Sequence, residues 1–227
     1  MKPISYDWDF SVVWEYRVAF ADGLRVTFEV LGGTIFLSVV IGLLLALFRM
    51  SPSKLLSYSS GAFIEFTRSV PSLVWVVWFY YCLPVVTGLT LDGFMTVVIA
   101  LSLYTSVFFA EIFRAGLQSV DRGQIEAAQS IGMGKFDILR RIAGPVAFIR
   151  ILPPFVSQCV LTIKSTALAG YVAVGELLYQ GQRISIHTFR PLEVLTAVAL
   201  IFAAIILPLT LLAGRLDSGI QKKYFGR

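Results

Sequence analysis

Five stretches of this chain are each long and apolar enough to cross a lipid bilayer, and no other feature limits its folding as much. A membrane helix needs about 20 mainly apolar residues to span the hydrocarbon, and such runs occupy 26–48, 58–83, 94–113, 151–174 and 194–212. The second run is the least uniform, because Glu65 and Arg68 lie in its first turns ahead of Pro71; its solid core is 70–83. With 57% hydrophobic and 15% charged residues, the chain has lipid as its solvent over most of its length. The prediction is an all-α integral membrane protein with five transmembrane helices.

Five spans put the two termini on opposite sides of the membrane, and basic residues choose the orientation. Segments 49–57, 114–150 and 215–227 hold twelve Lys and Arg, against five in the N-terminal segment and the last loop together. The positive-inside rule then predicts the N-terminus outside and the C-terminus in the cytoplasm. Trp8, Phe10, Trp14 and Tyr16, ahead of the first span, suit an aromatic belt at the outer interface. The mixed, acidic stretch 2–22 does not read as a cleavable leader, so the N-terminus is expected to be mature as written. Within the first span, Thr34, Ser38 and Gly42 recur every fourth residue, a stripe of small side chains that predicts close approach of a second helix.

Several function classes fall away. The formal charge of +5 is spread over the ends of apolar runs and forms no basic patch with interleaved aromatics, which argues against nucleic acid. Cys82 and Cys159 lie far apart in apolar stretches and predict neither a disulfide framework nor a metal site. His187 is the only histidine and no G-x-S-x-G is present, so hydrolase and metal readings are poor. A P-loop is also missing, since Gly134-Lys135 is followed by Phe136 and preceded by Gln129 where the first glycine belongs.

The segment 114–150 is the longest polar stretch and is patterned. Ile125, Ala128 and Ile131 fall at helical spacing in a short helix predicted over 124–131, with Gly132 placed to end it in a left-handed cap. A second helical piece carries Phe136, Leu139 and Ile142 three apart, with Arg140 and Arg141 at its end and Gly144-Pro145 expected to stop it. A pair of helices this short, held beneath a membrane bundle, suits docking into a groove of a soluble partner or lying on the lipid surface.

The core of that segment, GQIEAAQSIGMGKFDILRRIAGP from Gly123, holds Glu126, Ala127, Ala128, Gly132, Ile142 and Pro145 in a register that resembles the EAA signature of ABC importer permeases; Gly144 stands where the family has leucine. The resemblance extends over nearly the whole chain. GLRVTFEV from Gly23, IEFTRSVPSLVWV from Ile64, and the run from Tyr104 through Glu111 and Arg114 to Gly123 and Gln124 are similar to elements of the branch serving polar amino acids. So are ILPP at 151–154 and KSTAL at 164–168, where Ala167 replaces the usual serine.

The resemblance implies a type I ABC importer transmembrane fold in a bacterial cytoplasmic membrane. It would comprise a periplasmic segment 1–22, a permease domain 23–215 and a cytoplasmic tail 216–227. It also implies two ATPase subunits, a second permease copy or paralogue, a periplasmic or lipid-anchored solute-binding protein, and a polar amino acid as solute. ATP and Mg2+ would sit on the ATPase, with no cofactor on this chain. Gly123, Gln124, Glu126, Ala127, Ala128, Gly132, Ile142 and Pro145 would form the coupling element.

Lys164 falls in the middle of the fourth span, where an ionisable group is costly. Two readings of it stand: a place on the translocation route, together with Thr166, or a structural pair with a neighbouring helix. Glu111 with Arg114, and Glu65 with Arg68, are spaced to pair on one helix face. The outer loop 175–193 is polar, suiting either a solute-binding protein or plain solvation. The rival function, a secondary transporter or channel, would need its own ion pathway; no internal repeat and few buried carboxylates are expected.

Overall fold

The computed structural model describes residues 6–225, and all its regular elements there are helical. Lys2 and Arg227, counted in the charge census, lie outside these residues. A short α1 (Ser11–Glu15) leads into the long α2 (Arg17–Arg49), then α3 (Lys54–Ser69), α4 (Ser72–Tyr81), α5 (Leu83–Thr87) and α6 (Gly93–Gln118). After the polar segment, which holds α7 (Arg122–Ser130) and α8 (Lys135–Ile138), come α9 (Gly144–Ser165), α10 (Leu177–Thr188) and α11 (Pro191–Phe225). Four helical stretches are long and apolar enough to cross a membrane: Arg17–Arg49, Gly93–Gln118, Lys135–Val172 and Pro191–Gly219.

The second predicted span, 58–83, is not one rod. α3 and α4 meet at a 99° bend. The cause is local: Pro71 has no N–H to continue the helix and its ring drives Val70 out of the helical region, to φ −103° and ψ 131°. The first span's helix starts earlier than its apolar run, at Arg17, and carries the exposed pair Arg25–Glu29, 2.8 Å apart and one turn apart.

α6 is the central post, packed most extensively on α2. The predicted small-residue stripe makes that contact. Thr34, Ser38 and Gly42 are all buried; Ser38 Oγ donates to the Ser102 carbonyl at 3.2 Å and Ser102 Oγ donates to the Thr34 carbonyl at 3.3 Å. At Gly42 a Cβ would come within 2.8 Å of both Phe109 Cβ and the Ser106 carbonyl, whereas at Gly32 it would meet nothing within 4 Å. Replacing Gly42 with leucine should therefore push the two helices apart and cost about 1–3 kcal/mol. Gly32→Leu should be near neutral, and thermal unfolding of the two variants in detergent measures the contrast.

The chain does not stop at Gly144-Pro145 as expected. Leu139–Ala143 form a π turn that runs straight into α9, and the Gly144 N–H donates to the Leu139 carbonyl five residues back. Pro145 stands in the first turn of α9, where its missing N–H is tolerated. Glycine suits position 144 because a Cβ there would lie 2.6 Å from the Leu139 carbonyl oxygen. Further on, Pro153 and Pro154 interrupt the hydrogen-bond ladder inside α9, and the fourth span finishes as a 3-10 helix, Thr166–Val172.

The segment 175–193 is not a free polar loop. Its α10 buries Leu177, Gly181, Ile184 and Ser185 against α2 and α11. Glu176 caps it, the carboxylate accepting from Leu178 N at 2.8 Å and Tyr179 N at 2.7 Å. Burial pushes this carboxyl up to about 7 from an ordinary 4.5, against those two N–H bonds. The folded state thus holds a proton that the unfolded chain releases. Stability from this group is full below pH 4.5 and is lost as pH rises towards 7, a change on the order of 3 kcal/mol. A melting-temperature series across that range should slope downward, and Glu176→Gln should flatten it.

Candidate functional site

The polar segment is a compact elbow at one end of the bundle. Asp121 starts α7, its carboxylate accepting from Gly123 N at 2.6 Å, which places Gly123 and Gln124 in the first turn, two residues earlier than predicted. At the other end the predicted left-handed cap is present. Gly132 has φ +81°, its N–H donates to the Gln129 carbonyl at 3.0 Å, and Met133 N donates to the Ala128 carbonyl at 3.1 Å, the paired bonds of a Schellman motif.

The elbow turns Ala128, Ile138 and Ala147 inward. It leaves Glu126 and Ala127 exposed, with Ile131 79% and Phe136 72% exposed beside them. Of Phe136, Leu139 and Ile142, the first two point outward and Ile142 is half-buried, while Ile138 makes the internal contact. Arg140 and Arg141 lie in mid-helix instead of at an end, and Arg141 pairs with Asp137 at 3.5 Å. Arg150 ties the elbow to α6 by donating to the Ser119 carbonyl.

Both predicted charge pairs form. The Arg114 guanidinium grips Glu111, with Nη2 to Oε2 at 2.6 Å and Nε to the same oxygen at 3.1 Å, and Nη1 reaches Gln118 at 2.8 Å. Glu65 and Arg68 stand 3.8 Å apart and exposed, so solvent screening leaves their pair little energy.

Lys164 and Thr166 part company. Thr166 is fully buried, its hydroxyl donating to the Ile163 carbonyl at 2.7 Å. Lys164 is exposed, with no carboxylate within 4.0 Å among the described residues. It lines a groove of about 540 Å3 between α9 and α11, with Ser157, Thr210 and Asp217 among the apolar residues. α9 crosses α6 where a Cβ on Gly116 would overlap Ile151 Cγ1. Thirteen residues further along, at about 1.5 Å each, Lys164 stands about 20 Å from that crossing, within the apolar run 151–174. An amine there must meet water or a polar partner.

Two buried carboxylates escaped sequence reasoning. Glu176 is described above; Glu193 accepts from Tyr6 Oη at 2.7 Å, Arg190 Nη1 at 3.0 Å and Asp9 N at 3.2 Å. Each is satisfied locally, and no local pattern announces either. Among the described residues no group of three or more His, Cys, Asp or Glu side chains is arranged to hold a metal ion.

Residues 38–222 match the family described as binding-protein-dependent transport system inner membrane component. The chain is 36% identical over 187 residues to a probable glutamine ABC transporter permease protein, GlnM, of Bacillus subtilis, covering 82% of this chain and 86% of that one. It is 31% identical to the glutamine transport system permease protein GlnP of Escherichia coli K12, over 94% of this chain and 97% of the relative. Among solved structures it resembles an amino acid ABC transporter crystallised with histidines, with a TM-score of 0.86, 30% identity, and 94% and 99% of the two chains covered. The MetNI methionine ABC transporter in an inward-facing form shares the fold, with a TM-score of 0.75 at 20% identity over 91% and 98% of the chains.

Proposed function

The chain belongs to the binding-protein-dependent transport system inner membrane component family, the ABC importer permeases, and on that premise we propose that it carries a polar amino acid across a bacterial cytoplasmic membrane. It is a multi-pass membrane protein with the type I importer fold. The solute assignment rests on the relatives, two of them named as glutamine permeases. ATP and Mg2+ are held by a separate ATPase subunit, in keeping with the missing P-loop. A second permease and an external solute-binding protein complete the complex.

The observation that carries the coupling proposal is the elbow. Ile131, at the capped end of α7, and Phe136, on α8, stand out from a polar end of the bundle that also exposes Glu126. A protein cleft that receives those two side chains can push on α9 directly, because α8, the π turn and α9 are continuous. Lys164, in the groove between α9 and α11, is the group we assign to the translocation route. That face must be wet or covered by the second permease, and the ammonium complements the carboxylate of an amino acid. Thr166 is assigned to packing.

The test is reconstitution of the chain with its ATPase and binding protein in liposomes. Glutamine should stimulate both hydrolysis and uptake, and uptake should cease without ATP. Accumulation of solute by this chain alone on an ion gradient would overturn the proposal.

A further inference from the structure

A groove at the N-terminal end of the bundle has the layout of a lipid site. It has a volume of about 510 Å3; Phe20, Ala197, Leu200 and Ile201 line it, and Trp14 and Arg17 stand at its rim. The Arg17 guanidinium lies 5.1 Å over the Trp14 ring, and its Nη1 donates to the Trp14 carbonyl at 3.0 Å. Those contacts orient the cation without neutralising it, for among the described residues Arg17 has no carboxylate within 4.0 Å, unlike Arg25, Arg68, Arg114, Arg141 and Arg190.

The levels match as well. α2 has 33 residues and is about 50 Å long, longer than the roughly 30 Å hydrocarbon core, and Arg17 at its first position precedes the apolar run 26–48, on the polar side of it. Leu200 and Ile201 lie nine and ten residues into α11, about 14 Å along its axis, and inside the apolar run 194–212. Charge at the headgroup level and apolar surface at the chain level fall along one groove.

We propose that this groove holds one glycerophospholipid, its phosphate on Arg17 beside Trp14 and an acyl chain along Phe20, Leu200 and Ile201. The guanidinium has donors left for a phosphate oxygen after its bond to Trp14. The bound lipid adds to the packing of Val12 and Phe20 on Val194, Ala197 and Val198 that joins α1 and the start of α2 to α11.

The experiment uses the full chain in its complex, in lipid nanodiscs, with Trp14 kept as the only tryptophan of this chain by Trp8→Phe, Trp75→Phe and Trp78→Phe and with the partners' tryptophan fluorescence subtracted. Chain-brominated phosphatidylglycerol is titrated against chain-brominated diacylglycerol, which lacks the phosphate. Quenching of Trp14 should reach half its maximum at about tenfold lower phosphatidylglycerol than in Arg17→Gln, with Arg17→Lys between them. Diacylglycerol should quench weakly and without regard to residue 17. Phosphatidylglycerol curves that coincide with and without the Arg17→Gln change, equal quenching by the two lipids, or a Trp14 shielded from both by protein would each overturn the proposal. Arg17 is exposed, so the variants remain folded, and ATP-driven uptake in the same discs confirms an intact complex independently of lipid binding.

Discussion

Gly132→Pro and Glu126→Lys are each expected to leave the permease inserted and assembled while lowering solute moved per ATP hydrolysed by roughly tenfold or more. At residue 132 the reason is conformational. Gly132 sits at φ +81° and donates its N–H to Gln129; proline holds φ near −65° and has no N–H to give. The cap fails and the tip carrying Ile131 and Phe136 swings to another direction. At residue 126 the reason is electrostatic, because the side chain is exposed and has no ion pair among the described residues, so reversing its charge acts on whatever docks there. Hydrolysis and uptake measured together in proteoliposomes give the ratio. A normal ratio in both variants would remove the elbow from the coupling path.

Lys164→Met should abolish most transport, by about a hundredfold, with assembly and basal hydrolysis retained. Methionine preserves length and apolar stem but removes the only charge that α9 carries at that depth. Among the described residues the amine makes no ion pair, so its loss frees no carboxylate there and should not destabilise the fold. Lys164→Arg should recover part of the rate, since a cation remains. Initial uptake rates over a range of solute concentration separate the cases, and a Met variant transporting at the normal rate would exclude Lys164 from the route.

Sequence reasoning was strongest where one local rule decides the outcome. The α2–α6 contact was legible in Thr34, Ser38 and Gly42, because small residues every fourth position have few other uses inside an apolar helix. The cap at Gly132 and the pairs Glu111–Arg114 and Glu65–Arg68 were legible for the same reason, being interactions between residues three or four apart. Failures came where a local rule admits two outcomes. Gly144-Pro145 ends a helix in water, yet here it opens one after a π turn. A polar stretch such as 175–193 reads as a loop until α2 and α11 supply a surface for α10 to bury Leu177 and Ile184.

The amino-acid sequence by itself determined that this is a membrane-spanning helical bundle and which family it joins, since apolar run length and motif register are properties of the chain order. Only the tertiary structure decided that α3 and α4 meet at 99°, that Thr166 is buried while Lys164 faces an open groove, and that Glu176 and Glu193 are internal. Those outcomes depend on which helix lies opposite each side chain, and in lipid, where polar and apolar faces are not sorted by water, periodicity alone does not choose the neighbour.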